Sequence, residues 1–152
     1  VTYACSLALA YPLGWMADRF HATRMGIGAL AIYATIMAFG FFWIDSPKSF
    51  GAVFFAHTVL SGCYFTGAAA LGQMLFPKLK FAQFAAAGGM LLAVANVGFG
   101  PFLGVMLDLL GHDYRYTFGM SSLLAFIALL LSLIVYYRFM KLGGPKGYVA
   151  PE

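Results

Sequence analysis

In the stretch "FFAHTVLSGCYF", His57, Ser61 and Tyr64 stand at i, i+4 and i+7. A helix would place all three on one face. That face offers an imidazole and two hydroxyls inside an otherwise apolar run. Such groups can hold a polar solute by hydrogen bonds, and His57 could also carry a proton. They can equally form an interhelical hydrogen bond that only fixes packing. A hydrolytic pairing of His57 with Ser61 is disfavoured. No acid stands nearby to orient the imidazole, and no nucleophile-elbow glycines flank the serine. The chain is therefore expected not to be an enzyme.

Asn96 is a further candidate for contact with solute, or for holding two helices together. It lies one turn before "GPFLG", where Gly100 and Gly104 are spaced for close helix contact around Pro101. Pro101 deprives the carbonyl four residues back of its usual donor and invites a bend. No paired His/Cys spacing, CxxC or Gly-rich phosphate loop occurs, so neither a metal nor a cofactor is expected. Cys5 and Cys63 read as small buried apolar side chains.

The elements that must position these residues follow from composition. The 152 residues are 62% hydrophobic and only 9% charged. A soluble domain carries roughly 25% charged residues. This chain cannot cover itself with polar groups, so it is expected to be an all-α, polytopic membrane protein partnered by the lipid bilayer. Crossing the hydrocarbon core takes about 20 apolar residues. Four complete spans are expected, at 25–44, 51–76, 84–110 and 117–137, with 1–13 as the end of a fifth. Together these make a transmembrane helical bundle over 1–137, with a tail at 138–152. The spans at 25–44 and 117–137 are nearly all apolar and are expected to face lipid, their few Ser, Thr and Tyr bonding their own helix. Those at 51–76 and 84–110 carry the polar residues and are expected inside.

Short loops make neighbouring spans antiparallel, so loop charges can be sorted by side. One side holds Arg19, Arg24, Lys78, Lys80, Arg138, Lys141 and Lys146; the other holds only Lys48 and Arg115, beside Asp45, Asp108 and Asp113. This asymmetry predicts that loop 14–24 and the C-terminus are cytoplasmic, in a cell inner or plasma membrane. No basic run with interleaved aromatics points to nucleic acid.

The loop "GWMADRFHATR" resembles the cytoplasmic loop signature of the major facilitator superfamily, Gly-x-x-x-Asp-Arg/Lys-x-Gly-x-Arg/Lys-Arg/Lys. Gly14, Asp18, Arg19 and Arg24 match, His21 replaces a glycine and Thr23 replaces a basic residue. "FPKLKFAQFAAA" and "GPFLGVMLDLLGHDYRYTFGM" resemble later parts of the same fold. The copy of the signature in the C-terminal half is typically the more degenerate, which places this chain there, from the end of the eighth helix through the twelfth. "LGWMAD" at 13–18 and "LGVMLD" at 103–108 share four of six residues and close spans that run oppositely. Inverted three-helix repeats build such transporters.

The resemblance implies a secondary transporter that moves a small polar solute, sugar-like or an organic metabolite, by alternating access. It implies partnership with an N-terminal half of the same chain upstream, and with H⁺ or Na⁺ if transport is coupled. It implies that Asp18 stabilises the outward-open state by pairing with a nearby Arg and facing a helix N-terminus of that half. The alternatives are a multidrug or metabolite exporter of the same fold, which the partial Gly-Pro-x-x-Gly at 100–104 also resembles, and a non-transport polytopic protein.

Overall fold

The structure, a computed structural model, describes residues 11, 12, 15, 19 and 21–150. Gly14 and Asp18 of the loop signature lie outside the described residues, as does nearly all of the expected span at 1–13. The described chain is helical. α1 is Ala22–Trp43, α2 is Pro47–Leu75, α3 is Phe81–Leu109 and α4 is Arg115–Lys141. A single 3₁₀ turn, Lys78–Lys80, precedes α3, and a short α5, Gly144–Gly147, follows α4. No strand occurs among the described residues.

The helix ends are set by local chemistry. At the start of α2 the Ser49 backbone N–H donates to Ser46 Oγ (3.3 Å) and the Ser46 N–H donates to Ser49 Oγ (3.1 Å), a reciprocal cap with Pro47 in the first turn. The far end of α2 meets Pro77, which has no N–H to continue the ladder. α3 closes on Gly111 at φ 67°, and the His112 N–H donates to the Leu107 carbonyl (2.8 Å), satisfying a terminal carbonyl. α4 begins where the Asp113 carboxylate accepts the Arg115 N–H (3.0 Å).

Three of these segments are long and apolar enough to cross a membrane: Thr23–Trp43, Lys78–Leu109 and Arg115–Lys141. α2, with 29 residues, has the length as well, and it carries His57, Thr58, Ser61, Tyr64 and Gln73.

α1 is the central helix, packed against both α2 and α4. One core cluster joins Met37 of α1 and Ile44, just past its end, to Phe118 of α4, with Phe50 and Val53 of α2 against it. A second joins Leu30 and Ala34 to Ala125, with Tyr33, Tyr64 and Leu129 around it. Close approach depends on small residues. A Cβ on Gly40 would come within 2.7 Å of Val53, and one on Gly119 within 2.9 Å of Phe41. In lipid such van der Waals fit, not hydrophobic exclusion, holds helices together.

Two expectations about faces are corrected here. α1 and α4 were expected to face lipid, yet they pack on each other and together hold most of the buried residues. α3 was expected inside; it has no buried residue among those described and makes few contacts with the other described helices. Mean polarity of a helix does not say how many neighbours it has. The small residues Ala34 and Gly40 do, because they admit partners on two sides of α1.

The two ends of the bundle differ in charge, as alternation of the loops requires. The Arg24 side chain donates from Nε to Tyr136 Oη (2.9 Å), joining the start of α1 to the end of α4. Tyr148 Oη donates to the Leu75 carbonyl (3.0 Å), joining the tail to the end of α2. This end also carries Lys78, Lys80, Arg138 and Lys141. At the opposite end Asp45 and Ser46 line one pocket with His112, Asp113 and Arg115. There Arg115 pairs with Asp113 (2.6 Å), and its hydrogen bonds hold the Asp113 carboxyl below the ordinary carboxylate value.

Candidate functional site

The face formed by His57, Ser61 and Tyr64 turns toward α1. His57 lies about 15 Å along the axis from Pro47, at 1.5 Å per residue. Its Nδ1 shares a 2.7 Å hydrogen bond with Tyr33 Oη of α1. The rings lie 5.5 Å apart at 49°, and Phe54 stacks on the other side of the imidazole at 6.0 Å. The Ser61 side chain of α2 and the Ser121 side chain of α4 also lie near the Tyr33 phenol. Three polar side chains from two helices, α2 and α4, therefore gather around the half-buried Tyr33 hydroxyl.

The arrangement has a definite chemistry. Tyr33 can donate to Nδ1 when the imidazole is neutral with its hydrogen on Nε2. Nε2 then remains a donor, and it makes no hydrogen bond among the described residues. Ser61 and His57 lie beside the same phenol and are not bonded to each other among the described residues. Among those residues no group of three metal-ligating side chains occurs either.

The remaining sequence candidates are dispersed. Tyr64 packs on the Leu30 cluster and lines a cavity of about 160 Å³ with Thr23 and Ser132. Asn96 is exposed on α3 and bonds no side chain among the described residues. Gly100 and Gly104 have open space where a Cβ would stand, so no described neighbour uses their spacing. Pro101 lies inside α3, which continues through it. Arg19 is exposed, with its guanidinium 5.2 Å from the centre of the Trp15 ring.

Tyr33 and Ser121 are the site members that sequence reasoning missed. The signal was a tyrosine inside "ALAIYATIMA". A buried phenol needs a partner for its hydroxyl, whereas a serine or threonine can bond back to its own helix. Thr35 and Thr58 do bond back, to the Ala31 and Phe54 carbonyls. Ser122 does not; it crosses to the Ala34 carbonyl of α1 at 2.9 Å.

The signature loop runs into α1 at His21. His21 has φ 76° and ψ 123°, a left-handed conformation that glycine adopts without strain. Its ring lies 5.3 Å from that of Phe139, which is buried, and Phe139 meets Tyr148 of the tail at 5.2 Å. Burial, and then the neighbouring Arg24 charge, hold the His21 imidazole below the ordinary histidine value. No family model, curated protein or solved structure matches the chain.

Proposed function

We propose that the chain is the C-terminal part of a major facilitator transporter that moves a small polar solute by alternating access. The observation that carries this reading is the backbone at His21. The signature that the loop resembles has glycine at this position, and here the chain takes a conformation suited to glycine. The antiparallel helices, with basic loops gathered at one end, support the same reading. His57 presents the solute-binding group. Tyr33 holds its ring from Nδ1 and leaves Nε2 for a hydroxyl or carboxylate of the solute.

A second reading, an exporter of apolar compounds, is favoured by the groove between α1 and α4. Its walls include Phe41, Phe42, Tyr116 and Phe126, with Met106 of α3. Counterflow in proteoliposomes containing the full protein separates the two. Radiolabelled glucose, xylose and lactate are the polar probes, and ethidium is the apolar one. Counterflow of a polar probe that falls in His57→Phe supports the first reading. Movement of ethidium alone supports the second, and movement of none of the four contradicts both.

A further inference from the structure

At the basic end of the bundle, α1, α2 and α4 flank a partly open cavity of about 160 Å³. Most of its wall is apolar, including Leu30, Leu71 and Val135. Three hydroxyl-bearing residues line it, one from each helix: Thr23, Tyr64 and Ser132. Thr23 is 4% exposed, and its Oγ1 is buried with no hydrogen-bond partner among the described residues. The Tyr64 and Ser132 hydroxyls also bond no group among the described residues.

A buried hydroxyl left without a partner costs about 1–3 kcal/mol. One such group, Thr23 Oγ1, beside a cavity that Tyr64 and Ser132 also line, points to a guest that supplies the missing partner. Water occupies a cavity that is roomy enough and offers it two to four polar groups. At about 30 Å³ per molecule in the liquid, this volume holds no more than about five waters. Apolar cavities of similar size stay dry because they offer no such groups.

We propose that this cavity binds a small cluster of water molecules bridging Thr23, Tyr64 and Ser132, and so joins α1, α2 and α4 by hydrogen bonds that their side chains do not make directly. The site is separate from the Tyr33–His57 bond and does not depend on the transport reading. It sits where the signature loop enters α1, so the helices there are tied by exchangeable molecules in place of fixed side-chain contacts.

Two measurements on the full protein in lipid nanodiscs test this. The first is the thermal midpoint of Thr23→Val, which keeps the shape of the side chain and deletes the hydroxyl. A water-bridged hydroxyl predicts a lower midpoint. An equal or higher midpoint, the result for an unpaired hydroxyl in a dry void, overturns the proposal. The second uses the unmodified sequence and radiolytic hydroxyl-radical footprinting, in which bound water oxidises the side chains beside it. Tyr64 should be oxidised several-fold faster than Tyr33, whose hydroxyl is already engaged by His57. Equal rates overturn the proposal.

Discussion

Tyr33 Oη and His57 Nδ1 lie 2.7 Å apart, joining the centre of α1 to the N-terminal half of α2. Both groups are away from the helix ends, where water would compete for them. Polar bonds between membrane helices are worth about 0.6 kcal/mol on average and up to about 1.7. A double-mutant cycle with Tyr33→Phe and His57→Phe should give a coupling within that range, read from unfolding midpoints in mixed micelles. Strict additivity would show that the bond contributes nothing. Tyr33→Phe alone should cost more than the coupling, because it leaves the imidazole nitrogen unpaired.

His21 carries backbone strain as well as a ring contact. A non-glycine residue in such a conformation costs about 1–3 kcal/mol. The contact with Phe139 returns about 0.5–1.5 kcal/mol of this. His21→Gly should therefore be neutral to stabilising, and more stable than His21→Ala by about 1 kcal/mol. Alanine keeps the strain and loses the ring. An alanine variant as stable as the glycine one would show that the backbone there is unstrained.

The same residue gives a pH dependence. Its folded pKa lies below its unfolded value. The unfolded chain then binds more protons, so stability rises with pH. The penalty is absent above the unfolded value of about 6.5 and grows as pH falls through it. Between about pH 7.5 and pH 5.5 the natural sequence should lose more stability than His21→Gly. Parallel losses would show that His21 is not the group involved.

The tail is held by a glycine turn. Gly143 has φ 106°, and a Cβ there would stand 2.6 Å from the Gly147 carbonyl carbon. Gly143→Ala should therefore release α5 and with it the Tyr148 bond to Leu75. Limited trypsin digestion should then cleave after Lys146 faster than in the natural sequence. Tyr148→Phe, which keeps the ring on Phe139 but removes the bond, should give an intermediate rate. Identical digestion of all three would mean that the turn does not hold the tail.

The long helices were legible because an apolar run has few other solutions in lipid. The expected spans 25–44, 51–76, 84–110 and 117–137 lie close to the observed Ala22–Trp43, Pro47–Leu75, Phe81–Leu109 and Arg115–Lys141. The shared face of His57, Ser61 and Tyr64 was also legible, since helical spacing alone decides it. What that face meets was not. Periodicity is a property of one helix, whereas pairing depends on which helices approach closely. Tyr33 looked like any residue of an apolar span until Gly40 and Ala34 brought α2 and α4 against α1. The strain at His21 was visible only as a departure from a motif, and its backbone angle supplies a physical reason.

The central claim is alternation of access, with Asp18 as the residue that favours the outward-open state. The most direct test places a single cysteine at Asn96 in the full protein, with Cys5 and Cys63 replaced by serine. A membrane-impermeant thiol reagent is then applied separately from each side, with Asp18 intact and in Asp18→Asn. The account predicts labelling from both sides when Asp18 is intact. In Asp18→Asn, labelling from outside should fall and labelling from the cytoplasmic side should rise. The same ratio of outside to inside labelling in both backgrounds would contradict it.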